Sequence, residues 1–103
     1  MKKWGDKQMS PLNPSESDIR GQVTDYLRLR KWFVWYILQA GMGVYKGLPD
    51  LMAAKNGEVI AVELKRHGGK QSEQQKRFQA DYESAGCRYI LTRGIDDLQK
   101  NGI

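Results

Sequence analysis

Apolar positions recur with a helical period from Ser15 to about Arg30. The residues predicted to form the buried face of this helix are Ile19, Val23, Tyr26 and Leu27. Asp18 follows Ser15 by three positions, which resembles a capping box with aspartate in place of the usual glutamate. The sequence therefore predicts a first helix that begins at Ser15 and presents one apolar face to the core.

A β-hairpin is predicted over 47–65, where two apolar runs flank the dipeptide Asn56-Gly57. Both residues of a type I′ turn need a positive φ, which asparagine and glycine tolerate best. A two-residue turn also fixes the register, because paired residue numbers then have a constant sum. In this register Asp50 lies directly opposite Glu63, so two acidic side chains become cross-strand neighbours.

The remaining elements follow from shorter patterns. They are a strand over 32–38, a glycine-containing loop over 39–46, a helix that begins at Ser72, a strand over 87–91 and a helix over 95–100. Gln75 completes a second capping box with Ser72, and Cys87 is predicted to be a small core residue. The order of elements, αβββαβα, predicts an α/β sandwich with a mixed central sheet, in which the hairpin is antiparallel and the following strand returns parallel.

Length and charge narrow the class of protein. At 103 residues the chain is expected to form one domain over 15–103, preceded by a flexible arm over 1–14. Its longest apolar run covers seven residues, against the roughly 20 that a membrane helix needs, and no signal-peptide-like stretch follows the basic start. We therefore expect no membrane segment and a cytoplasmic protein. A formal net charge of +5 favours a partner rich in phosphate, such as nucleic acid.

The opposed acids Asp50 and Glu63 indicate a site that holds positive charge. Like charges that face each other across a strand pair repel, so the pair is unfavourable unless a cation lies between them. Lys65 is one candidate, because strand alternation puts it on the same face as Glu63. A divalent cation is the other, since Mg²⁺ is usually held by one or two carboxylates together with water and substrate phosphate.

The same residues resemble the motif of a nuclease superfamily. Pro49-Asp50, followed after twelve residues by Glu63-Leu64-Lys65, is similar to the PD-(D/E)XK signature, and the residues around both parts resemble the VRR-NUC family. The resemblance covers about 15–98, with further similar segments on both sides of the motif. These segments are 15–19, 72–78 and 95–98. The implied fold is the restriction-endonuclease-like core of that superfamily, which agrees with the predicted αβββαβα order.

This resemblance also implies roles for particular side chains. The implied ligands of Mg²⁺ or Mn²⁺ are Asp50, Glu63, the carbonyl of Leu64 and Glu16. Lys65 is expected to orient the attacking water and stabilise developing charge, with a plain salt bridge to Glu63 as the alternative. From spacing alone, Glu16 either points toward the site or complements the helix dipole. Gln75 is expected to approach the metal site as well as to cap its helix.

Four basic residues are candidates for contact with DNA. Arg66 and Lys70 belong to a glycine-containing loop that can follow a phosphate chain. Lys46, with its neighbour Tyr45, either contacts DNA or belongs to an ordinary exposed loop. Arg20 stands where the resembled family often has glutamine, so this residue departs from the family pattern. A contact between Arg20 and a DNA phosphate is expected nonetheless.

Together these features predict a metal-dependent DNA endonuclease. The resemblance to short phage and bacterial members of the family implies a homodimer that cuts branched DNA such as four-way (Holliday) junctions, and a phage origin with activity in the host-cell cytoplasm. The aromatic residues available for a dimer interface are Trp32, Phe33, Trp35 and Tyr36. The alternatives are a flap or nicking nuclease, a catalytically idle DNA-binding module, and a subunit that works only inside a larger repair or replication complex.

Overall fold

The computed structural model describes residues 13–38 and 45–103, which form three helices and four strands. In chain order these are α1 (Glu16–Leu29), β1 (Phe33–Tyr36), β2 (Leu51–Lys55), β3 (Glu58–Leu64), α2 (Glu73–Ser84), β4 (Arg88–Thr92) and α3 (Ile95–Lys100). This αβββαβα order confirms the predicted α/β class. Residues 1–12 of the predicted arm and 39–44 of the predicted loop lie outside the described ranges. Within those ranges no helix is long and apolar enough to cross a membrane.

α1 begins as predicted, at a capping box. The Oγ of Ser15 accepts a hydrogen bond from the N–H of Asp18 at 3.1 Å, and the Asp18 carboxylate accepts one from the N–H of Ser15 at 3.1 Å. The residues predicted for the inner face are all buried, namely Ile19, Val23, Tyr26 and Leu27. The helix therefore enters the core along the face that the spacing indicates.

The hairpin also has the predicted turn and register. Asn56 and Gly57 have φ values of 52° and 82°, the positive pair that a type I′ turn requires. The pairs run from Lys55 with Glu58 at the turn to Leu51 with Val62 near the open end. The register set by the turn thus continues toward Asp50, which directly precedes β2, and Glu63, which lies near the end of β3.

The four strands form one mixed sheet in the order β1-β2-β3-β4. β1 and β2, and β2 and β3, are antiparallel, whereas β4 returns after α2 and runs parallel to β3. Val62 in β3 pairs with Leu51 on one side and Ile90 on the other. β3 is therefore an inner strand, held on both edges.

The two faces of β3 have different chemistry. Ile60, Val62 and Leu64 are fully buried and belong to the apolar core that includes residues of α1 and α3. Because successive strand residues point to opposite faces, Glu63 lies on the other side, where Gln75 of α2 contacts it. The apolar core therefore supports β3 from one side while its acidic residue faces α2.

The end of α2 shows that the prediction for Cys87 is wrong. Gly86 has a φ of 86°, and its N–H donates to the carbonyl of Glu83 at 2.9 Å. The N–H of Cys87 donates to the carbonyl of Tyr82 at 3.1 Å, which completes a Schellman motif. Cys87 therefore belongs to the helix terminus, is exposed, and precedes β4 instead of starting it in the core.

The end of α1 corrects the prediction that Trp32 is available for an interface. Lys31 has a φ of 74°, and the N–H of Trp32 donates to the carbonyl of Leu27 at 3.0 Å. An apolar residue at this position of a Schellman motif usually packs back on the helix, and Trp32 is only 8% exposed. The predicted strand shortens to Phe33–Tyr36, whose aromatic residues remain exposed.

Candidate active site

Asp50 lies at the open end of the hairpin, in the position that the register places opposite Glu63. Its backbone N–H donates to the carbonyl of Val62 at 3.1 Å, and its carbonyl accepts from the N–H of Ile37 at 3.0 Å. Its carboxylate accepts a hydrogen bond from the N–H of Leu64 at 2.7 Å. Asp50 is thus fixed beside β3 by both its backbone and its side chain.

Glu63 is the buried member of the acid pair, with 1% of its surface exposed. Its Oε2 accepts a hydrogen bond from the Gln75 amide at 2.7 Å and lies 3.2 Å from the Lys65 ammonium. Its Oε1 is buried and has no hydrogen-bond partner among the described residues. One oxygen is therefore held by two donors, while the other is left as an unused acceptor.

The pKa of the Glu63 carboxyl is raised from an ordinary 4.5 to about 7. Burial is the largest cause, because a charged carboxylate is poorly stabilised away from water, and the charge of Asp50 adds to it. The hydrogen bond and charge of Lys65 act in the opposite direction, and Glu16 makes a small further contribution upward. Near neutral pH the charge of the Lys65 ammonium alone therefore does not fully compensate for the burial of the ionised Glu63 carboxylate.

Gln75 forms the predicted capping box and also contacts Glu63 through the same side-chain amide. Its approach to a metal ion stays a prediction. Its Oε1 accepts a hydrogen bond from the N–H of Ser72 at 2.8 Å, and its backbone N–H donates to the Ser72 Oγ at 3.1 Å, which closes the capping box of α2. Its Nε2 donates to Glu63. The start of α2 and the orientation of Glu63 are therefore coupled through this amide.

Glu16 lies in the first turn of α1 and is exposed. Its negative charge contributes to raising the pKa of the Glu63 carboxyl. No three His, Cys, Asp or Glu side chains within 13–38 and 45–103 form a group that could hold a metal ion. Glu16 therefore contributes negative potential to the site in this conformation, and its role as a ligand stays a prediction.

The basic loop after β3 starts directly at the site, since Arg66 follows Lys65. Arg66 and Lys70 are both exposed. The Arg93 guanidinium donates to the carbonyl of Gly69 at 2.9 Å, which ties this loop to the residue after β4. Arg20 lies with its guanidinium carbon 5.7 Å from the centre of the Tyr36 ring, so its cation is positioned by an aromatic face.

Tyr89 is a neighbour of the acids that the sequence did not suggest. It is 6% exposed, and its hydroxyl accepts a hydrogen bond from the Gln71 amide at 3.3 Å. Burial, and then the charge of Glu63, raise the pKa of the Tyr89 hydroxyl well above its usual range. Tyr89 shares the sheet face of Glu63 only because β4 is parallel and in this register, which no local pattern reveals.

Gly47 determines how closely the loop before β2 approaches α2. Its φ is +84°, and a Cβ at this position would lie 2.3 Å from the backbone oxygen of Gln74 and 2.8 Å from the backbone nitrogen of Gln75. Real Cβ atoms do not approach backbone so closely. Glycine is therefore required here, and it allows the loop that leads to Asp50 to pack directly on the first turn of α2.

Gly47→Ala should destabilise the protein by about 1–3 kcal/mol more than Gly86→Ala, the range for overpacking that forces backbone shifts. Gly86 has nearly the same φ, +86°, but open space around its Cβ position, so it controls for the strain of a positive φ. Urea unfolding of both variants would measure the difference. Equal destabilisation by Gly47→Ala and Gly86→Ala would show that a Cβ at residue 47 does not clash with the backbone of α2.

The geometry brings Asp50, Glu63, Lys65 and Gln75 together at one end of the hairpin. Comparison of the chain with protein-family models, with curated proteins and with solved structures gives no match.

Proposed function

We propose that the protein is a metal-dependent endonuclease that hydrolyses phosphodiester bonds in DNA. The observation that carries the proposal is the buried Glu63 carboxylate, whose Oε1 lacks a partner in the described chain while Oε2 is held by Lys65 and Gln75. A buried acceptor without a partner is unfavourable, and the opposed Asp50 adds repulsion. A cation bound between the two acids would relieve both.

The donor set suits Mg²⁺ or Mn²⁺. Asp50 and Glu63 would hold the ion, with the carbonyl of Leu64 and the more distant Glu16 as further ligands. Two carboxylates are sufficient, because Mg²⁺ commonly keeps several waters in its coordination shell. When bound, such an ion lowers the pKa of a water and neutralises charge on the phosphate under attack.

The protein side chains supply positioning and charge. In this proposal Lys65 holds the attacking water and stabilises the negative charge that develops on the phosphate oxygens. Gln75 keeps the Glu63 carboxylate in one orientation through the hydrogen bond at 2.7 Å. The N–H of Leu64 does the same for Asp50. Each acid therefore keeps a fixed position before substrate binds.

The fold is consistent with the same proposal. The αβββαβα order, with the motif at the open end of the hairpin, supports assignment to the PD-(D/E)XK core. Arg66, Lys70 and Lys46 are exposed around the site and would contact phosphates, with Arg20 as a further contact from α1. A net charge of +5 favours the approach of such a polyanion.

A nicking assay with purified protein on supercoiled plasmid separates this function from its alternatives. Nicking in Mg²⁺ or Mn²⁺ that stops with chelator supports the nuclease. DNA binding without nicking would indicate a catalytically idle module, and activity that appears only with added partner proteins would indicate a subunit of a larger complex.

We further propose that the active form is a homodimer that prefers branched DNA. Symmetric cutting of a four-way junction needs two sites related by a two-fold axis, and two copies of a small domain supply them. Exposed aromatic surface for an interface is present on β1, where Phe33 is 69%, Trp35 37% and Tyr36 46% exposed. Phe33 and Trp35 share one face of β1 with ring centres 5.3 Å apart, whereas Tyr36 lies on the opposite face and donates to Thr24 of α1. An exposed pair of large aromatic groups is typical of an interaction surface.

Light scattering should therefore give the mass of a dimer, and a junction substrate should receive paired incisions across its branch point. Phe33→Ser combined with Trp35→Ser should produce a folded monomer that has lost paired incision. A wild-type monomer at micromolar concentration that cuts linear duplex as readily as junctions would contradict this part of the proposal.

A further inference from the structure

A basic cleft lies between the loop that leads to Asp50 and the start of α2. It has a volume of about 220 Å³ and is lined by Tyr45, Lys46, Gln74 and Arg77. Its two walls belong to the loop before β2 and to the first two turns of α2. The close contact of Gly47 with the backbone of Gln74 holds these walls together.

Each wall of the cleft contains a residue that is close in sequence to a residue of the acid site. Gln74 lines the cleft while the next residue, Gln75, donates to Glu63. On the other wall, Lys46 precedes Asp50 by only four positions. A group bound in the cleft would therefore neighbour the group that is bound at the acids.

Two cations in the cleft are available to a ligand. Lys46 and Arg77 are both exposed, and neither forms an ion pair with another residue of the described ranges. Lys76, next to Arg77 on α2, is instead paired with Glu73 at 3.5 Å. An anion that bridges Lys46 and Arg77 would gain two charge-assisted contacts without breaking an existing ion pair.

Tyr45 supplies an aromatic surface at the same place. Its ring meets Phe78 edge-on, with ring centres 5.7 Å apart and an angle of 76° between planes. Phe78 in turn stacks on Tyr82 with centres 5.3 Å apart. This support holds the Tyr45 ring in place, and 52% of Tyr45 stays exposed, which leaves surface on which a base could stack.

We propose that this cleft binds one unpaired nucleotide of the DNA strand, with its phosphate between Lys46 and Arg77 and its base on the Tyr45 ring. The inference rests on the proposed nuclease function, because it places this nucleotide next to the scissile phosphate. A volume of about 220 Å³ is smaller than the usual 300–1,000 Å³ ligand pocket. It suits a phosphate and part of a sugar, with the base outside against the ring. A branch point supplies such an unstacked nucleotide, whereas continuous duplex does not.

The test is binding of a fluorescently labelled thymidine oligonucleotide in chelator, where no cleavage occurs. Tyr45→Ala should weaken binding about tenfold, within the range for loss of one base–aromatic stack, while Tyr45→Phe binds like wild type. Arg77→Gln should weaken binding and reduce the salt slope by about 0.7, the value for one phosphate of a single strand. Lys76→Gln, one residue away but already paired, is the matched control and should change the slope less.

Competition identifies what the cleft recognises. Thymidine monophosphate should displace the oligonucleotide better than inorganic phosphate, and this difference should vanish in Tyr45→Ala. Equal displacement by the two competitors would reduce the cleft to an anion site and overturn the proposal. Wild-type affinity in both Tyr45→Ala and Arg77→Gln would also overturn it. If the wild type cleaves DNA but both variants keep wild-type affinity, the cleft alone is rejected. If both substitutions weaken binding as expected but the wild type never cleaves, the nuclease function alone is rejected.

Discussion

Replacing Lys65 with methionine is expected to slow DNA cleavage by about 100- to 1,000-fold, the loss typical when a charge-stabilising group is removed from an active site. The Lys65 ammonium lies 3.2 Å from Oε2 of Glu63, and its side chain is only 15% exposed. Its charge therefore acts where water screens it weakly. Methionine retains most of the apolar stem and removes the charge. Single-turnover rate constants with protein in excess of DNA would measure the effect.

Lys76→Met is the matched control for this experiment. Lys76 also forms an ion pair, with Glu73 at 3.5 Å, but both side chains are largely exposed. Surface pairs of this kind contribute little, so the variant should cleave at the wild-type rate. A Lys65→Met protein that is folded and fully active would mean that Lys65 serves only as a salt-bridge partner of Glu63.

The metal-free protein should lose stability as the pH rises from about 5 to about 8. The pKa of Glu63 is about 7 in the folded protein and 4.5 in an ordinary environment, so between these values the folded chain holds a proton that the unfolded chain has released. The stabilisation that this carboxyl contributes is fully present below pH 4.5, its ordinary pKa, and is lost as the pH rises through its folded-state pKa of about 7. At about 1.4 kcal/mol per pH unit, the free energy of unfolding should fall by about 3 kcal/mol.

Glu63→Gln should remove most of this pH dependence, because a neutral amide carries no titrating proton. Glu73→Gln, at a side chain that is 84% exposed, should retain it. Urea unfolding in chelator at both pH values measures the two slopes. Added Mg²⁺ should flatten the wild-type profile, since a ligand that binds the ionised site stabilises the folded state at high pH. A wild-type profile as flat as that of Glu63→Gln would contradict the account of the buried acid.

The parts of the site that the sequence predicted are those fixed by local rules. The Asn56-Gly57 turn sets a register that can be counted outward to Asp50 and Glu63. The Ser72–Gln75 capping box similarly indicates where α2 begins. Both patterns depend on residues that are a few positions apart, so they can be recognised in the sequence without knowledge of the tertiary fold.

The parts that the sequence missed depend on packing between distant elements. Tyr89 lies on the same sheet face as Glu63 because of the parallel register of β4, and Arg77 and Lys46 line one cleft because Gly47 allows the loop to touch α2. Neither contact has a local signature. The incorrect predictions for Cys87 and Trp32 share another cause. Both residues were assigned to strands, but helix-terminating hydrogen bonds control where they lie.

In the proposed mechanism Asp50 and Glu63 act through a bound divalent cation. The most direct test of this mechanism is the cleavage of one branched DNA substrate by wild type and by Asp50→Asn, purified in parallel and each measured in Mg²⁺ and in chelator. Asparagine keeps an oxygen that can accept from the N–H of Leu64, so the variant should fold. The account predicts cleavage only by the wild type in Mg²⁺, with the other three reactions at background. Cleavage by Asp50→Asn in chelator at the wild-type rate would contradict it.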